Sequence, residues 1–266
     1  MYLLSFFVML VSFLLPVNTF ASSKKTLYVL TKITASGKDN MGNYDYKIKM
    51  SDKYTYTSKG LLKTSKYSYD NSDGSGYEKI SYIYDDNGIL KKGKIKSFVQ
   101  GNKTTFKQTF RHNTRNQIYQ MTYGMRTIGL QYDKKGQCIA ADNYRLSYDA
   151  NGRITKTTVY EDGEVGGNIT YKYDSKGNLI EDMFSENGSS IKYTNRYKSG
   201  RLSKKILSEK SQYNNKKVTY KYYYKKIKVP SSYLNRVKRQ QNWLCLNMDP
   251  IEPGYRGLPF AAVCGK

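Results

Sequence analysis

The sequence predicts an all-β fold: an antiparallel meander of hairpin repeats forming an extended twisted sheet, with a short C-terminal helix. Three observations predict it. One strand–turn–strand pattern recurs seven times between Tyr54 and Leu202. Lysines alternate with tyrosines or aliphatics, as in Lys47-Ile48-Lys49 and Tyr220-Lys221-Tyr222, which is the period-two signature of a sheet with one solvated face. Glycine or asparagine, the residues that best tolerate positive φ, closes each turn.

Aligning the copies on the turn glycine makes the columns legible. The outgoing strand ends in Tyr56, Tyr84, His112, Tyr132, Tyr148, Tyr173 and Tyr197. Two residues earlier, on the same face, stand Tyr54, Tyr82, Phe110, Leu130, Leu146, Tyr171 and Asn195. The turn closes on Gly60, Gly88, Asn116, Gly136, Gly152, Gly177 and Gly200, and the returning strand places Leu62, Leu90, Ile118, Cys138, Ile154, Leu179 and Leu202 two residues later. Each aromatic thus gains an apolar cross-strand partner. Asp85, Asp133, Asp149 and Asp174 precede the glycine by three residues, where a carboxylate accepts from turn amides; Thr57 and Asn113 substitute for them. The last copy is one residue shorter and lacks the acid, so a different turn is expected at Ser199-Gly200.

In chain order, residues 1–21 read as a secretory signal peptide cut after Ala21, although the usual positive start is missing and a retained anchor is the alternative. Residues 22–230 read as the β-repeat domain, and 231–266 as a helix with an irregular tail. Thr26 to Thr34 is expected as a strand, Ser36 to Asn43 as a loop, and Tyr44 to Met50 as a strand before the first copy. Asp70 to Gly76 resembles a calcium loop but puts Tyr69 and Ile80 where carboxylates are required, so a hairpin tip is expected. Further turns are expected at Gly101-Asn102, Glu161 to Asn168 and Glu186 to Ser189, with about fifteen strands in all. A final hairpin runs from Arg201 to Ser208 and from Val218 to Val229, where Pro230 stops it. Ser231 and Ser232 can cap a helix from Tyr233 to Leu246, with Tyr233, Val237 and Leu244 on one side, that closes an open end of the sheet. Trp243 is expected to anchor this lid.

The formal net charge is +24, and of 45 basic residues only ten are arginine. Bidentate reading of phosphates and bases favours arginine, so a specific nucleic-acid partner is not expected. The solvated face of a sheet accounts for much of the lysine. His112 and Cys138 could form a nucleophilic dyad, but they occupy the tyrosine and aliphatic columns, so packing explains both. One histidine and three cysteines supply too few ligands for a zinc site, and no cofactor or metal is expected. Cys245 and Cys264 could pair, or all three thiols could be free. The recurring aspartates belong to turns, which leaves no evident carboxylate pair for glycoside hydrolysis.

The motif Tyr-x-Tyr-Asp-x-x-Gly-x-Leu/Ile, at Tyr82 to Leu90, Tyr171 to Leu179 and more loosely Leu146 to Ile154, resembles the YD repeats of bacterial RHS-type proteins. The resemblance covers Tyr54 to Leu202 and implies long sheets on secreted or surface proteins. The chain departs from that family in being too short to enclose a cargo, in lacking the glycine-rich motif that ends the shell, and in having no toxin domain after it. The expectation is an exported, non-enzymatic protein of the cell envelope. Its Lys/Tyr-rich sheet face would meet an anionic polymer, a glycan or a surface protein, without a transmembrane span in the mature chain. Alternatives are a structural or protein-interaction module, and a hydrolase whose carboxylate pair the fold assembles.

Overall fold

The computed structural model describes residues 23–41, 44–71, 74–185, 190–210 and 214–246. The signal-peptide segment, the Glu186–Ser189 turn and the irregular tail lie outside them, as do Cys264 and the side chains of Cys245 and Trp243. Sixteen strands follow one another: β1 (Lys24–Met41), β2 (Tyr44–Tyr56), β3 (Leu62–Asn71), β4 (Gly74–Tyr84), β5 (Leu90–Val99), β6 (Asn102–His112), β7 (Ile118–Tyr123), β8 (Arg126–Tyr132), β9 (Cys138–Ala141), β10 (Tyr144–Tyr148), β11 (Ile154–Glu161), β12 (Glu164–Tyr173), β13 (Leu179–Phe184), β14 (Ser190–Lys198), β15 (Arg201–Lys210) and β16 (Asn214–Pro230). A 3-10 turn at Ser231–Tyr233 leads into α1 (Leu234–Leu246).

Each strand pairs antiparallel with its sequence neighbours, and β16 then pairs with β1, so the sheet is a closed barrel. That corrects the expected extended sheet. The reason is an eighth copy of the repeat that no turn connects. Leu30 on β1 faces Tyr224 on β16, with a register shift just after Leu30. The seven covalent copies show the same arrangement, from Tyr56 opposite Leu62 with a shift beside Tyr56 to Tyr197 opposite Leu202 with a shift beside Tyr197. The chain ends therefore supply the two halves of the missing hairpin. Each shift is a bulge that adds local bend and twist, and repeating it at every copy curls the sheet until its edges meet. Closure removes the exposed edges that an open sheet would present.

Three further expectations are corrected. Ser36 to Met41 is strand, because β1 pairs with both β2 and β16 along that stretch. Glu161 to Asn168 is mostly strand, since a tight turn at Asp162-Gly163 lets β12 begin at Glu164, and a bulge absorbs the extra glycine. Short turns at Gly124-Met125 and Asp142-Asn143 add hairpins at the end opposite the repeated turns.

Alternation sorts the residues. A single cluster fills the interior, drawing on the apolar column (Leu30, Leu62, Leu90, Ile118, Cys138, Leu179, Leu202) and on deeper residues such as Ile33, Ile95, Met121, Leu207 and Tyr220. Leu30, Leu62, Leu90, Ile118, Leu207 and Val218 are completely excluded from solvent. A circular barrel of this many strands would leave a channel. Here side chains occupy that space.

Candidate functional site

The end of the barrel that carries the repeated turns is built from a hydroxyl ladder. The phenol of each column tyrosine donates to the carbonyl of the apolar residue in the preceding hairpin: Tyr84 to Leu62 (2.8 Å), Tyr132 to Ile118 (2.6 Å), Tyr148 to Cys138 (2.5 Å) and Tyr173 to Ile154 (2.7 Å). Tyr56 donates to the carbonyl of Leu30, and Tyr224 to that of Leu202 at 2.9 Å, so the ladder crosses the split copy too. Burial raises the phenol pKa of Tyr148 and lifts that of Tyr173 to about 12, so these groups stay protonated donors. Tyr197 departs from the pattern. It donates to the Asp174 carboxylate, while Asn195 Nδ2 takes the Leu179 carbonyl at 3.0 Å.

The turns are fastened from within. Oδ1 of Asp85, Asp133, Asp149 and Asp174 accepts from the amides of Ile89, Gln137, Arg153 and Asn178 at 2.8 to 2.9 Å, and Thr57 and Asn113 make the matching contacts to Leu61 and Gln117. Gly88, Gly136, Gly152, Gly177 and Asn116 take positive φ at the closing position. At the shorter last turn both Ser199 and Gly200 have positive φ, the signature of a type I′ two-residue hairpin turn. Burial opposes ionisation of Asp174, but the bonds from Tyr197, Asn178 and Asn195 outweigh it and hold the carboxyl below its usual range.

Helix α1 covers part of this end. Arg236 donates to the Gly88 and Asn87 carbonyls at 2.7 and 3.0 Å, and Gln240 and Gln241 accept from the amides of Leu62 (3.0 Å) and Leu30 (2.7 Å). Val237 packs with Val29, Leu61 and Val229, and Leu244 joins the interior cluster. The sequence showed the apolar stripe but not the two glutamines, which look solvent-facing by composition.

His112 and Cys138 do not meet. They stand on β6 and β9 with β7 and β8 between them, so at least three strand spacings, about 14 Å of sheet, separate them. Burial pushes the Cys138 thiol up to about 11 and its Sγ lies 3.3 Å from the Ala140 carbonyl, which leaves a thiol rather than a thiolate. His112 Nε2 is buried without a hydrogen-bond partner. Deeper in the interior, Lys205 is 1% exposed with its ammonium 5.1 Å from the Tyr193 ring, whose hydroxyl donates to Asp182 at 2.7 Å. Among the described residues no group of three or more His, Cys, Asp or Glu side chains could hold a metal ion, and no helix is long and apolar enough to cross a membrane.

The outer wall is where the charge stands. The repeat tyrosines face inward and the intervening lysines outward, so Lys and Tyr largely occupy opposite faces. The mixed surface expected from composition shrinks to a few outward aromatics: Tyr28 beneath Arg201 and Lys226, Tyr223 beside Lys32, Tyr77 beside Lys66, and Tyr160 beside Arg145. On β12 to β14 the lysines are balanced: Glu181 faces Lys172 on one side and Lys192 on the other, and binds Lys172 at 2.6 Å. On β1 to β5 one set of lysines faces one another, from Lys32 to Lys96, while Lys49 pairs with Asp70 at 3.1 Å.

No family model matches the chain, and no curated protein matches it in sequence. Several solved structures are similar in shape. A porin-like protein from Bacteroides uniformis is 11% identical, with 74% of this chain and 96% of that one covered at a TM-score of 0.46. The Tc holotoxin pore of Photorhabdus luminescens is 11% identical over 64% of this chain and 12% of that one, at 0.33. A putative outer membrane lipoprotein-sorting protein domain from Vibrio parahaemolyticus is 9% identical, covering 74% and 85%, at 0.33. The resemblance to YD-repeat proteins of RHS type is corrected: the hairpins that suggested it close a sixteen-strand barrel around a packed interior.

Proposed function

We propose that this barrel is a non-enzymatic binding protein of the cell envelope, and that it holds an anionic polymer on its outer wall. One observation carries the reading: alternation turns the apolar side chains inward and the lysines outward, so most of a net charge of +24 is displayed on a rigid convex surface. A wall bathed in lipid needs the reverse arrangement, with an apolar band outside. A field of this size concentrates polyanions at the surface and is screened by salt. The export-type segment at residues 1–21 agrees with an envelope setting. The outward aromatics at Tyr28, Tyr77, Tyr160 and Tyr223 add limited contact area for sugar rings.

The test is co-sedimentation of the chain from Ser22 onward with isolated bacterial envelopes, before and after removal of their anionic polymers. Retention should vanish with the polymer and fall steeply with added salt. Retention that survives both treatments, or none at any salt, would overturn the reading.

A further inference from the structure

The register of β1 to β5 places lysines directly opposite one another on five successive strands. Lys32 faces Lys53, Lys53 faces Lys66, Lys66 faces Lys79, and Lys79 faces Lys96. Their side chains leave the same outer face one strand spacing apart, so the row crosses the strands over about 19 Å. Lys53, Lys79 and Lys96 are exposed. Lys66 lies 4.5 Å from the Tyr77 ring and Lys32 lies 5.7 Å from the Tyr223 ring. Arg196, Lys204 and Lys221 form a second row on β14 to β16 that meets the first with a step at the seam.

Like charges directly opposite one another destabilise a sheet. The other wall of the same barrel avoids the cost by setting Glu181 between Lys172 and Lys192. A solvated face needs lysines somewhere, but not in register. On β1 to β4 the rows beside this one are neutral and hydrogen-bonding, and on β5 one of them ends in Lys94, opposite Ser81. Thr34, Ser51 and Ser68 run along one side and lead to Tyr77 and Phe98, whose rings stack with centroids 6.0 Å apart. Thr55, Thr64 and Ser81 run along the other, with the Thr55 and Thr64 hydroxyls 2.7 Å apart.

We propose that this row is a binding site for a linear acidic polysaccharide lying across the strands, one carboxylate to each lysine, with the flanking hydroxyls and the Tyr77–Phe98 pair against the sugar rings. The proposal rests on the envelope-binding reading and narrows it to a place and a chemical class. A uronic acid polymer presents one carboxylate per sugar, a spacing comparable to that between strands. Lysine suits such point-charge pairing, whereas a nucleic-acid reader would need arginine forks. Hydroxyl rows on both sides match a ligand rich in hydroxyls.

The experiment measures binding of the chain from Ser22 onward to polygalacturonate, with neutral dextran and single-stranded DNA as comparison ligands. Two triple variants carry the same loss of charge: Lys53→Ser/Lys79→Ser/Lys96→Ser in the row, and Lys156→Ser/Lys192→Ser/Lys198→Ser on β11 and β14, outside it. The row variant should bind polygalacturonate at least tenfold more weakly and show a shallower salt dependence, and the β11/β14 variant should stay within threefold of the parent. The row variant should also melt no lower than the parent, since it loses only repulsion, which separates lost binding from lost folding. Equal weakening by both triples would overturn the row as a site while leaving the envelope reading intact. Envelope retention without polygalacturonate binding, or equally tight binding of single-stranded DNA, would overturn the acidic-polysaccharide assignment.

Discussion

His112 interrupts the hydroxyl ladder. Every other aromatic-column residue except Tyr197 donates a phenol to the carbonyl of the preceding hairpin, and the carbonyl that this pattern assigns to position 112 is that of Leu90. The imidazole is instead left with Nε2 buried and unpartnered. Burial, with the Lys91 ammonium adding to it and Asp85 opposing it, holds its pKa below the ordinary 6.5. The sign follows: between the folded and unfolded values the unfolded chain binds a proton that the folded chain refuses, so stability falls as pH drops below about 6.5. His112→Tyr should restore the hydrogen bond and stabilise the barrel by about 1 kcal/mol at pH 7. The gain should widen at pH 5, where only the parent loses stability to proton uptake at residue 112 of the unfolded chain. Denaturant midpoints of both proteins at the two pH values check this, and a midpoint that is unchanged or lower in the variant at both would show that the site does not accept a phenol. The turn chemistry, by contrast, was legible from residue types alone. Asp85, Asp133, Asp149 and Asp174 act on amides only four residues away, and such local contacts need no knowledge of the fold.

At the scale of elements, α1 shows what local sequence hides. Its apolar residues Val237 and Leu244 were readable from spacing, because a helix displays its buried stripe at a fixed period. Gln240 and Gln241 were not, because their value lies in amides of distant residues: the bulges at Leu62 and Leu30 leave N–H groups facing the barrel end, and the two side-chain carbonyls receive them. An unsatisfied buried amide costs about 1–3 kcal/mol. Gln240→Ala/Gln241→Ala should therefore destabilise the protein by a few kcal/mol, with non-additive singles if α1 undocks as a unit. Hydrogen exchange should report it locally, with protection lost at Leu30 and Leu62 before it is lost at Ile118 on β7. Uniform loss across all strands would mean that the helix holds the whole barrel together rather than its own end.

Closure is the property of the whole molecule that the repeat pattern concealed. The split copy joins Leu30 to Tyr224 across nearly the full chain, and it has no glycine turn to align on, so a search anchored on turns finds seven copies and an open sheet. The lysine row was hidden for a related reason: unequal hairpin lengths scatter its members along the chain, and only the cross-strand register lines them up. Both features depend on pairing between strands rather than on any one strand. They also give the barrel an electrostatic character that can be tested as a whole. Lysines a strand spacing apart stand well inside the screening length of about 10 Å at 0.1 M salt, so repulsion on β1 to β5 acts against the folded state at low ionic strength. Added salt should therefore raise the unfolding midpoint of the free protein while it weakens polyanion binding. Thermal unfolding in sodium chloride from 20 to 500 mM, with and without polygalacturonate, separates the two effects. The free protein should melt higher as salt increases, and the polymer should raise the melting temperature only at the low end. A midpoint that falls with salt would mean that pairs such as Lys172–Glu181 outweigh the repulsion, and the aligned lysines would then carry no stability cost that binding has to explain.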